Sequence, residues 1–218
     1  MKVIYFDTET TGLNSKFDRI IELAMLTVED GEITDEYDKF VNIDWDLPPK
    51  ITQITGITDE MLILEGESEA HIAEDLKNNL TPDTLMIAHN CQFDLSFVYS
   101  LLERHYPNDA YEIVSNIKWM DTVTVLKDRK EFPHKLIDAV KYYGIGEVNF
   151  HRAIDDTKAL YNVTQALKEE RDDLKEYINI FGYNPKYGVS GFKFSFIEYK
   201  RQYFTKRIVD SDSILPRK

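Results

Sequence analysis

Apolar runs separated by turn signals predict a set of short strands in the first half of the chain. Residues 2–6, Lys-Val-Ile-Tyr-Phe, form the apolar and β-branched run that is typical of a buried central strand. Residues 19–42 contain two strand-like runs around Glu-Asp-Gly-Glu, in which Asp30-Gly31 is a strong signal for a hairpin turn. Residues 85–88 predict a further strand, entered through a Pro-Asp turn.

Helical periodicity is found in the second half. Apolar residues recur at spacings of three and four along residues 93–106 and again along residues 152–170. A shorter helix is predicted over residues 134–144, closed by Gly144. A hairpin followed by strands that alternate with helices is typical of an α/β domain with two or three layers.

The last part of the chain has a different pattern. Residues 182–191 are rich in turn residues, and residues 192–200 alternate like a strand, which would place Phe192, Phe194 and Phe196 on one face. We therefore predict a main domain over residues 1–176 and an extension over residues 177–218 that is not an independent domain.

Charge separates these two parts more sharply than hydropathy does. The chain carries a formal charge of −13; residues 177–218 hold eight Lys and Arg against three Asp and Glu, so they contribute +5 and the remainder contributes −18. A body that holds cations and a tail that meets anions would explain the division, although two ordinary solvated surfaces would also do so. Aromatic rings are dense in the tail and could either pack on the core or stack on bases.

Length and composition limit the class of protein. The 218 residues fit one domain with a small appendage. The first residues lead directly into a strand, so no signal peptide is expected, and no apolar stretch reaches the roughly 18 residues of a membrane span. The single cysteine, Cys91, excludes an intramolecular disulfide. A cytoplasmic protein without membrane contact is expected.

Two carboxylates, Asp7 and Glu9, follow the first apolar run. Side chains at positions i and i+2 of a strand point to the same face, so the two carboxylates lie side by side if the strand continues through them. Two like charges at that distance repel each other, and coordination of divalent cations would remove the repulsion. A solvated strand end is the alternative, but the buried strand predicted before it favours a crevice.

Further acidic residues follow other predicted elements. Asp94 lies in the first turn of the helix after the strand at 85–88, where a carboxylate could simply stabilise the helix N-terminus. In the helix over residues 152–170, Asp156 falls on the apolar stripe whereas Asp155 falls on the outward face. A carboxylate on an apolar stripe needs a partner, and no Lys or Arg lies on that stripe, so a metal ion is a sensible partner.

His151 precedes the same helix by a short distance. Five residues separate it from Asp156, so the two do not share a helix face, and His151 is expected on a loop. It could act as a general base with a pKa near neutrality, or be an ordinary surface histidine. Four acids and one histidine, without a cysteine cluster, favour Mg²⁺ or Mn²⁺, and two such ions would suit phosphoryl transfer.

These residues together resemble the DEDDh 3′→5′ exonucleases of the ribonuclease H-like superfamily, such as the epsilon subunit and exonuclease domain of bacterial DNA polymerase III. The resemblance covers about residues 1–170. Phe-Asp-Thr-Glu-Thr-Thr-Gly-Leu, His-Asn-Cys-Gln-Phe-Asp and His-Arg-Ala-Ile-Asp-Asp-Thr-Lys-Ala are similar to the three exonuclease motifs, and residues 48–62 are similar to a segment of polymerase III-type members.

The resemblance implies a fold, a set of site residues and an activity. The fold is a central five-stranded mixed sheet flanked by helices. It implies that two divalent cations, Mg²⁺ or Mn²⁺, are held by four acids, that His151 deprotonates the attacking water, and that the terminal nucleotide meets a separate set of residues. The metal ligands would be Asp7, Glu9, Asp94 and Asp156, and the nucleotide pocket would comprise Thr8, Thr10, Gly12, Leu13, Ile54, Thr55 and Phe93.

The leading functional hypothesis is a metal-dependent exonuclease acting on single-stranded 3′ ends, with DNA favoured and a polymerase or repair protein as a possible partner. An exoribonuclease that trims RNA ends and a catalytically silent nucleic-acid binding module are the alternatives. A glycosyltransferase that uses Asp7 and Glu9 as an Asp-x-Glu motif offers no reason for the residues around Asp94 and Asp156. The sequence does not display the contacts to the 2′-hydroxyl that would separate DNA from RNA.

Overall fold

A six-stranded mixed sheet forms the centre of the protein in the computed structural model, which describes residues 1–146, 148, 152–203 and 214–215. Its strand order is β4-β3-β2-β1-β5-β6. The first three strands in sequence are antiparallel neighbours, whereas β5 and β6 join β1 in a parallel arrangement and β4 pairs in parallel with β3. The strands are β1 Lys2–Thr10, β2 Ile20–Glu29, β3 Glu32–Asn42, β4 Glu67–Ser68, β5 Thr84–Ala88 and β6 Lys118–Asp121.

The predicted five-stranded mixed sheet is confirmed, with the two-residue strand β4 as an addition at one edge. The predicted hairpin is also present, because Asp30 and Gly31 connect β2 to β3 with φ angles of 51° and 90°. Positive φ at both turn residues matches the right-handed twist of the two strands, which is why Asp-Gly is favoured there.

Helices cover both faces of the sheet, so the architecture has three layers. One face packs against α3, α4 and α5, and the other against α6, α7 and α8. A smaller cluster around Ile57 and Leu62 joins α1 and α2 to the outer side of β2. The helices are α1 Pro49–Thr55, α2 Asp59–Glu65, α3 Glu69–Asn79, α4 Cys91–His105, α5 Ala110–Ser115, α6 Thr122–Arg129, α7 Leu136–Tyr142 and α8 Ala153–Glu170.

The segment after α8 packs onto this body. A 3₁₀ turn over Leu174–Tyr177 leads to β7 (Ile180–Tyr183), which pairs in parallel with β8 (Glu198–Arg201). The Asn179 side chain accepts a hydrogen bond from the Trp119 backbone N–H at 2.8 Å, and so links this segment to β6. Phe181 and Phe194 are buried in the cluster that also contains the core residues of α4.

The predicted strand over residues 192–200 is wrong for its first half. Residues 192–197 form irregular and turn structure, and only Glu198–Arg201 is a strand. The three phenylalanines therefore do not share a strand face; Phe194 is buried while Phe192 is exposed, and their ring centroids are 4.8 Å apart. Ring-on-ring packing along the chain overrides the period-two pattern.

Within the described part of the chain, no helix combines the length and the apolar character needed to cross a membrane. The division into a body over residues 1–176 and an extension over residues 177–218 stays a prediction. The described residues of the extension do contribute buried side chains to the same clusters as the body, among them Tyr177 and Ile197.

Candidate active site

Strand β1 sorts its side chains onto the two faces of the sheet. Ile4 and Phe6 point to the face covered by α4, whereas Tyr5 points to the face covered by α8. Because side chains alternate along a strand, Asp7 and Glu9 follow Tyr5 toward α8, and Thr8 follows Phe6 toward α4. The alternation in the sequence Phe-Asp-Thr-Glu thus directs acidic and hydroxyl groups to opposite faces.

Three carboxylates meet where β1 passes beneath the first turn of α8. One carboxylate oxygen from each of Asp7, Glu9 and Asp156 lies within 4.8 Å of the other two, and all three residues are partly buried. The prediction that Asp156, and not Asp155, faces inward agrees with this placement, because Asp155 is not in the cluster. Hard oxygen ligands at this separation fit a divalent cation such as Mg²⁺ or Mn²⁺.

Mutual repulsion perturbs the acids of this cluster. Burial, followed by the charges of Asp94, Asp156, Glu9 and Glu22, holds the pKa of Asp7 well above its ordinary value. Burial and the neighbouring Glu22, Asp156 and Asp94 raise the pKa of Glu9 to about 7. A positive charge placed among these groups would reverse both effects, so the residues present fit a bound cation.

Asp94 approaches the cluster from the opposite face of the sheet. It lies in the first turn of α4, as predicted, and its buried carboxylate accepts a hydrogen bond from Thr8 Oγ1 at 2.7 Å. Burial raises the pKa of Asp94 to about 7, against the lowering effect of the Thr8 hydrogen bond. Asp94 also raises the pKa of Asp7, so the four predicted acids form one electrostatic unit, although only three share the compact cluster.

Glu22 is a site residue that sequence reasoning missed. It stands opposite Glu9 in the β1–β2 register and is fully buried. Its carboxylate accepts hydrogen bonds from Arg152 Nε at 2.9 Å and from the backbone N–H of Ala153 at 3.1 Å. It therefore caps the first turn of α8 and fixes where Asp156 stands. An acidic residue inside the apolar run Ile-Ile-Glu-Leu-Ala was the available signal.

Asp121 is the second residue that was missed, at the end of β6. Its carboxylate accepts hydrogen bonds from the backbone N–H groups of Asn90 at 2.9 Å and Cys91 at 3.2 Å. Asn90 adopts a left-handed backbone, with φ of 75°, immediately before α4. Asp121 thus ties the start of α4, and with it Asp94, to the neighbouring strand. The local sequence pattern does not predict the short strand β6, and it therefore does not reveal Asp121 at the end of that strand.

The residues of the predicted nucleotide pocket fall into two groups. The hydroxyl side chains form hydrogen bonds within the protein, whereas some of the apolar side chains are exposed. Thr8 Oγ1 donates a hydrogen bond to Asp94, and Thr10 Oγ1 donates one to the Gly12 carbonyl at 2.7 Å. Thr55 Oγ1 accepts a hydrogen bond from the Ile57 N–H at 3.1 Å. A Cβ at Gly12 would lie 2.5 Å from the Asp18 carboxylate, so a larger residue here would displace that side chain.

Leu13 and Ile54 present apolar surface instead. Leu13 is 88% exposed and Ile54 is 46% exposed, whereas Phe93 is partly buried with its ring 4.8 Å from that of Phe97. Exposed leucine and isoleucine side chains are available to pack against a base. The roles assigned to these residues remain predictions, and His151 lies outside the described residues.

The fold and the acidic cluster define a ribonuclease H-like nuclease class, and comparison with known proteins agrees. Residues 4–164 match the ribonuclease T family, described as Exonuclease, over more than half of the chain. The chain belongs to this exonuclease family. The predicted membership of the DEDDh-type exonucleases is confirmed.

Sequence relatives include the PolC-type DNA polymerase III of Staphylococcus aureus, which is 33% identical over 171 residues. The match covers 76% of this chain but only 12% of the polymerase. The chain thus spans a small part of that relative's length.

Solved structures agree on the fold. Escherichia coli Exonuclease I in complex with a dA16 oligonucleotide superposes with a TM-score of 0.72 and 22% identity, covering 81% of this chain and 42% of that one. The zinc-bound Exonuclease I–single-stranded DNA complex has a TM-score of 0.71 at 21% identity, over 81% of this chain and 42% of that one.

Proposed function

We propose that the protein is a divalent-metal-dependent exonuclease that removes nucleotides from single-stranded 3′ ends, with DNA as the preferred substrate. The observation that carries the proposal is the convergence of Asp7, Glu9 and Asp156, whose carboxylate oxygens lie within 4.8 Å of one another. Asp94 completes the set of acids across the sheet. Two cations, Mg²⁺ or Mn²⁺, would be held by these four residues.

Bound cations would supply an activated water and stabilise the leaving oxygen of the phosphodiester. The protein's own residues orient that chemistry. Thr8 fixes the Asp94 carboxylate, and Glu22 fixes the α8 turn that carries Asp156. His151, which immediately precedes Arg152 in the sequence, would act as the base that accepts the proton of the attacking water.

The preference for DNA is supported by the polymerase relative in Staphylococcus aureus and by the Exonuclease I structures, which are complexes with a dA16 oligonucleotide and with single-stranded DNA. A polymerase or a DNA repair protein would be a suitable partner. The single, buried and unpaired thiol of Cys91 supports the cytoplasm as the location.

A direct assay tests this proposal. Oligodeoxynucleotides and oligoribonucleotides of matched sequence, labelled at the 5′ end, are incubated with the protein in Mg²⁺ or Mn²⁺ and, separately, in EDTA. We expect a ladder of products shortened one nucleotide at a time from the 3′ end, faster for DNA and absent in EDTA. Binding without cleavage in either metal would instead indicate a silent binding module, and faster cleavage of RNA would indicate the trimming alternative.

A further inference from the structure

A groove of about 670 Å³ runs along α4, beside the candidate active site. Leu13 and Phe93, both assigned to the terminal nucleotide pocket, line it. Side chains of α4 line it together with residues 190–193 of the extension, which are called its far wall below. The match to the exonuclease family ends at residue 164, so this wall is outside the family match.

The far wall is held in place by a buried glutamine of α4. Gln92 Nε2 donates hydrogen bonds to the carbonyls of Ser190 at 2.9 Å and Phe192 at 2.7 Å, and Gln92 Oε1 accepts one from the Tyr199 hydroxyl at 2.8 Å. Gly191 adopts φ of 70°, and a Cβ there would lie 2.9 Å from Ser96 Oγ. The chain at this point is therefore positioned against α4 by specific contacts.

The lining of the groove combines exposed rings with positive charge. Phe192 is 42% exposed, and its ring lies 5.1 Å from that of Tyr99 at an interplanar angle of 32°. Lys16 and Lys193 line the groove and are exposed, and among the described residues neither ammonium group lies within 4 Å of a carboxylate. Glu103 is the acid of the lining, and it accepts a hydrogen bond from the Tyr99 hydroxyl at 2.8 Å.

We propose that this groove binds the nucleotides that precede the 3′-terminal one of a single DNA strand. Aromatic rings that stack on bases, together with cations that follow the backbone, are the means by which proteins hold single strands without reading their sequence. Because the groove shares Leu13 and Phe93 with the terminal nucleotide pocket, a strand that ends at the carboxylates would continue into it. This proposal rests on the proposed function, which supplies the direction of the strand.

Most of the basic residues near the end of the chain are not part of this groove or lie outside the described residues. Lys200 is engaged by Glu198 on the same strand, and neither Lys200 nor Arg201 lines the groove. Lys206 and Arg207 lie outside the described residues. Among the described residues of the extension, Lys193 is the lysine that lines the groove.

The test measures how affinity grows with strand length. Fluorescently labelled oligodeoxythymidylates of two and six nucleotides are titrated with protein in Ca²⁺, and the Kd values are compared by anisotropy. Phe192→Ala should reduce the gain in affinity from two to six nucleotides about five-fold or more, the low end of the loss of one base–aromatic stack. Lys193→Glu should reduce it too, by an amount that shrinks as the salt concentration is raised.

Lys186→Ala is the matched control, since it removes a tail lysine that does not line the groove. It should keep the length dependence of the parent. Parental length dependence in both Phe192→Ala and Lys193→Glu would overturn the groove proposal while leaving the exonuclease activity standing. A parent that shows the length dependence but cleaves nothing in Mg²⁺ or Mn²⁺ would overturn the proposed function alone. Tighter binding of oligouridylates than of oligodeoxythymidylates would overturn DNA as the occupant.

Discussion

At the residue scale, the placement of Asp156 in the acidic cluster separates it from its neighbour in the sequence. We expect Asp156→Asn to abolish cleavage, because it removes one of the proposed ligands of the metal ions. The metal-free variant should melt no lower than the parent, since Asp156 raises the pKa values of Asp7 and Glu9 by repulsion. Thermal melts with EDTA and with Mn²⁺ measure this, and the Mn²⁺-induced rise in Tm should be largely lost.

Asp155→Asn is the control for that change. Asp155 is outside the cluster and acts electrostatically on Arg152, so the variant should keep most of its cleavage activity and its stabilisation by Mn²⁺. Equal damage from the two substitutions would contradict the assignment of helix faces.

His151 is the other residue whose substitution is informative. His151→Ala should lower turnover by about 10²–10⁴-fold, the usual contribution of a positioned base, with stabilisation by Mn²⁺ retained. Single-turnover rates of the parent and the variant at pH 7 measure the loss. Near-parental turnover of the variant at pH 7 would exclude His151 as the base.

At the scale of elements, the start of α8 depends on a residue from β2. Glu22→Ala removes the acceptor for the Ala153 N–H and for Arg152, and leaving that N–H unsatisfied should cost about 1–3 kcal/mol of the free energy of unfolding. Turnover should fall with it, because α8 positions Asp156. Urea unfolding and cleavage rates measure the two effects.

Glu22→Gln separates a positioning role from a purely structural one. Its amide oxygen can still accept from the Ala153 N–H, so cleavage should recover further toward the parent than in Glu22→Ala. Turnover that is the same in Glu22→Gln as in Glu22→Ala would mean that Glu22 does not position Asp156.

The sequence predicts the elements whose signals lie in neighbouring residues and does not predict those that depend on distant partners. The β2–β3 hairpin depends on Asp30-Gly31, and the α4 and α8 helices on long periodic stripes, so each could be predicted. Strand β6 is four residues long and its register depends on pairing with β5, a contact that the local pattern does not reveal. The roles of Glu22 and Asp121 likewise arise from partners about 130 and 30 residues away, and the irregular path of residues 192–197 depends on rings stacking in three dimensions.

At the scale of the whole molecule, a partly buried histidine joins elements that are distant in sequence. His89 follows β5; its Nδ1 lies 2.9 Å from Thr122 Oγ1 on α6, and its Nε2 lies 2.9 Å from the carbonyl of His134, before α7. Burial lowers the pKa of His89, and the charges of His134 and Lys127 add to this effect, while the Asp121 charge and the hydrogen bond to the His134 carbonyl oppose it. Burial lowers the pKa of His134 as well.

The lowered pKa of His89 determines how the stability of the protein changes with pH. The unfolded chain binds a proton to His89 below about pH 6.5, while the folded protein keeps the imidazole neutral to lower pH. The contribution of His89 to stability is therefore complete above about pH 6.5 and is lost as the pH falls below that value.

We expect His89→Gln to destabilise the protein at pH 8 but to make the fall in unfolding free energy between pH 8 and pH 5.5 shallower than in the parent. Urea unfolding in saturating Mg²⁺ keeps the titration of the carboxylate cluster out of the comparison, and His71→Gln, which removes an exposed imidazole on α3, should show the slope of the parent. An equally steep fall in His89→Gln and in the parent would mean that other groups carry the acid sensitivity.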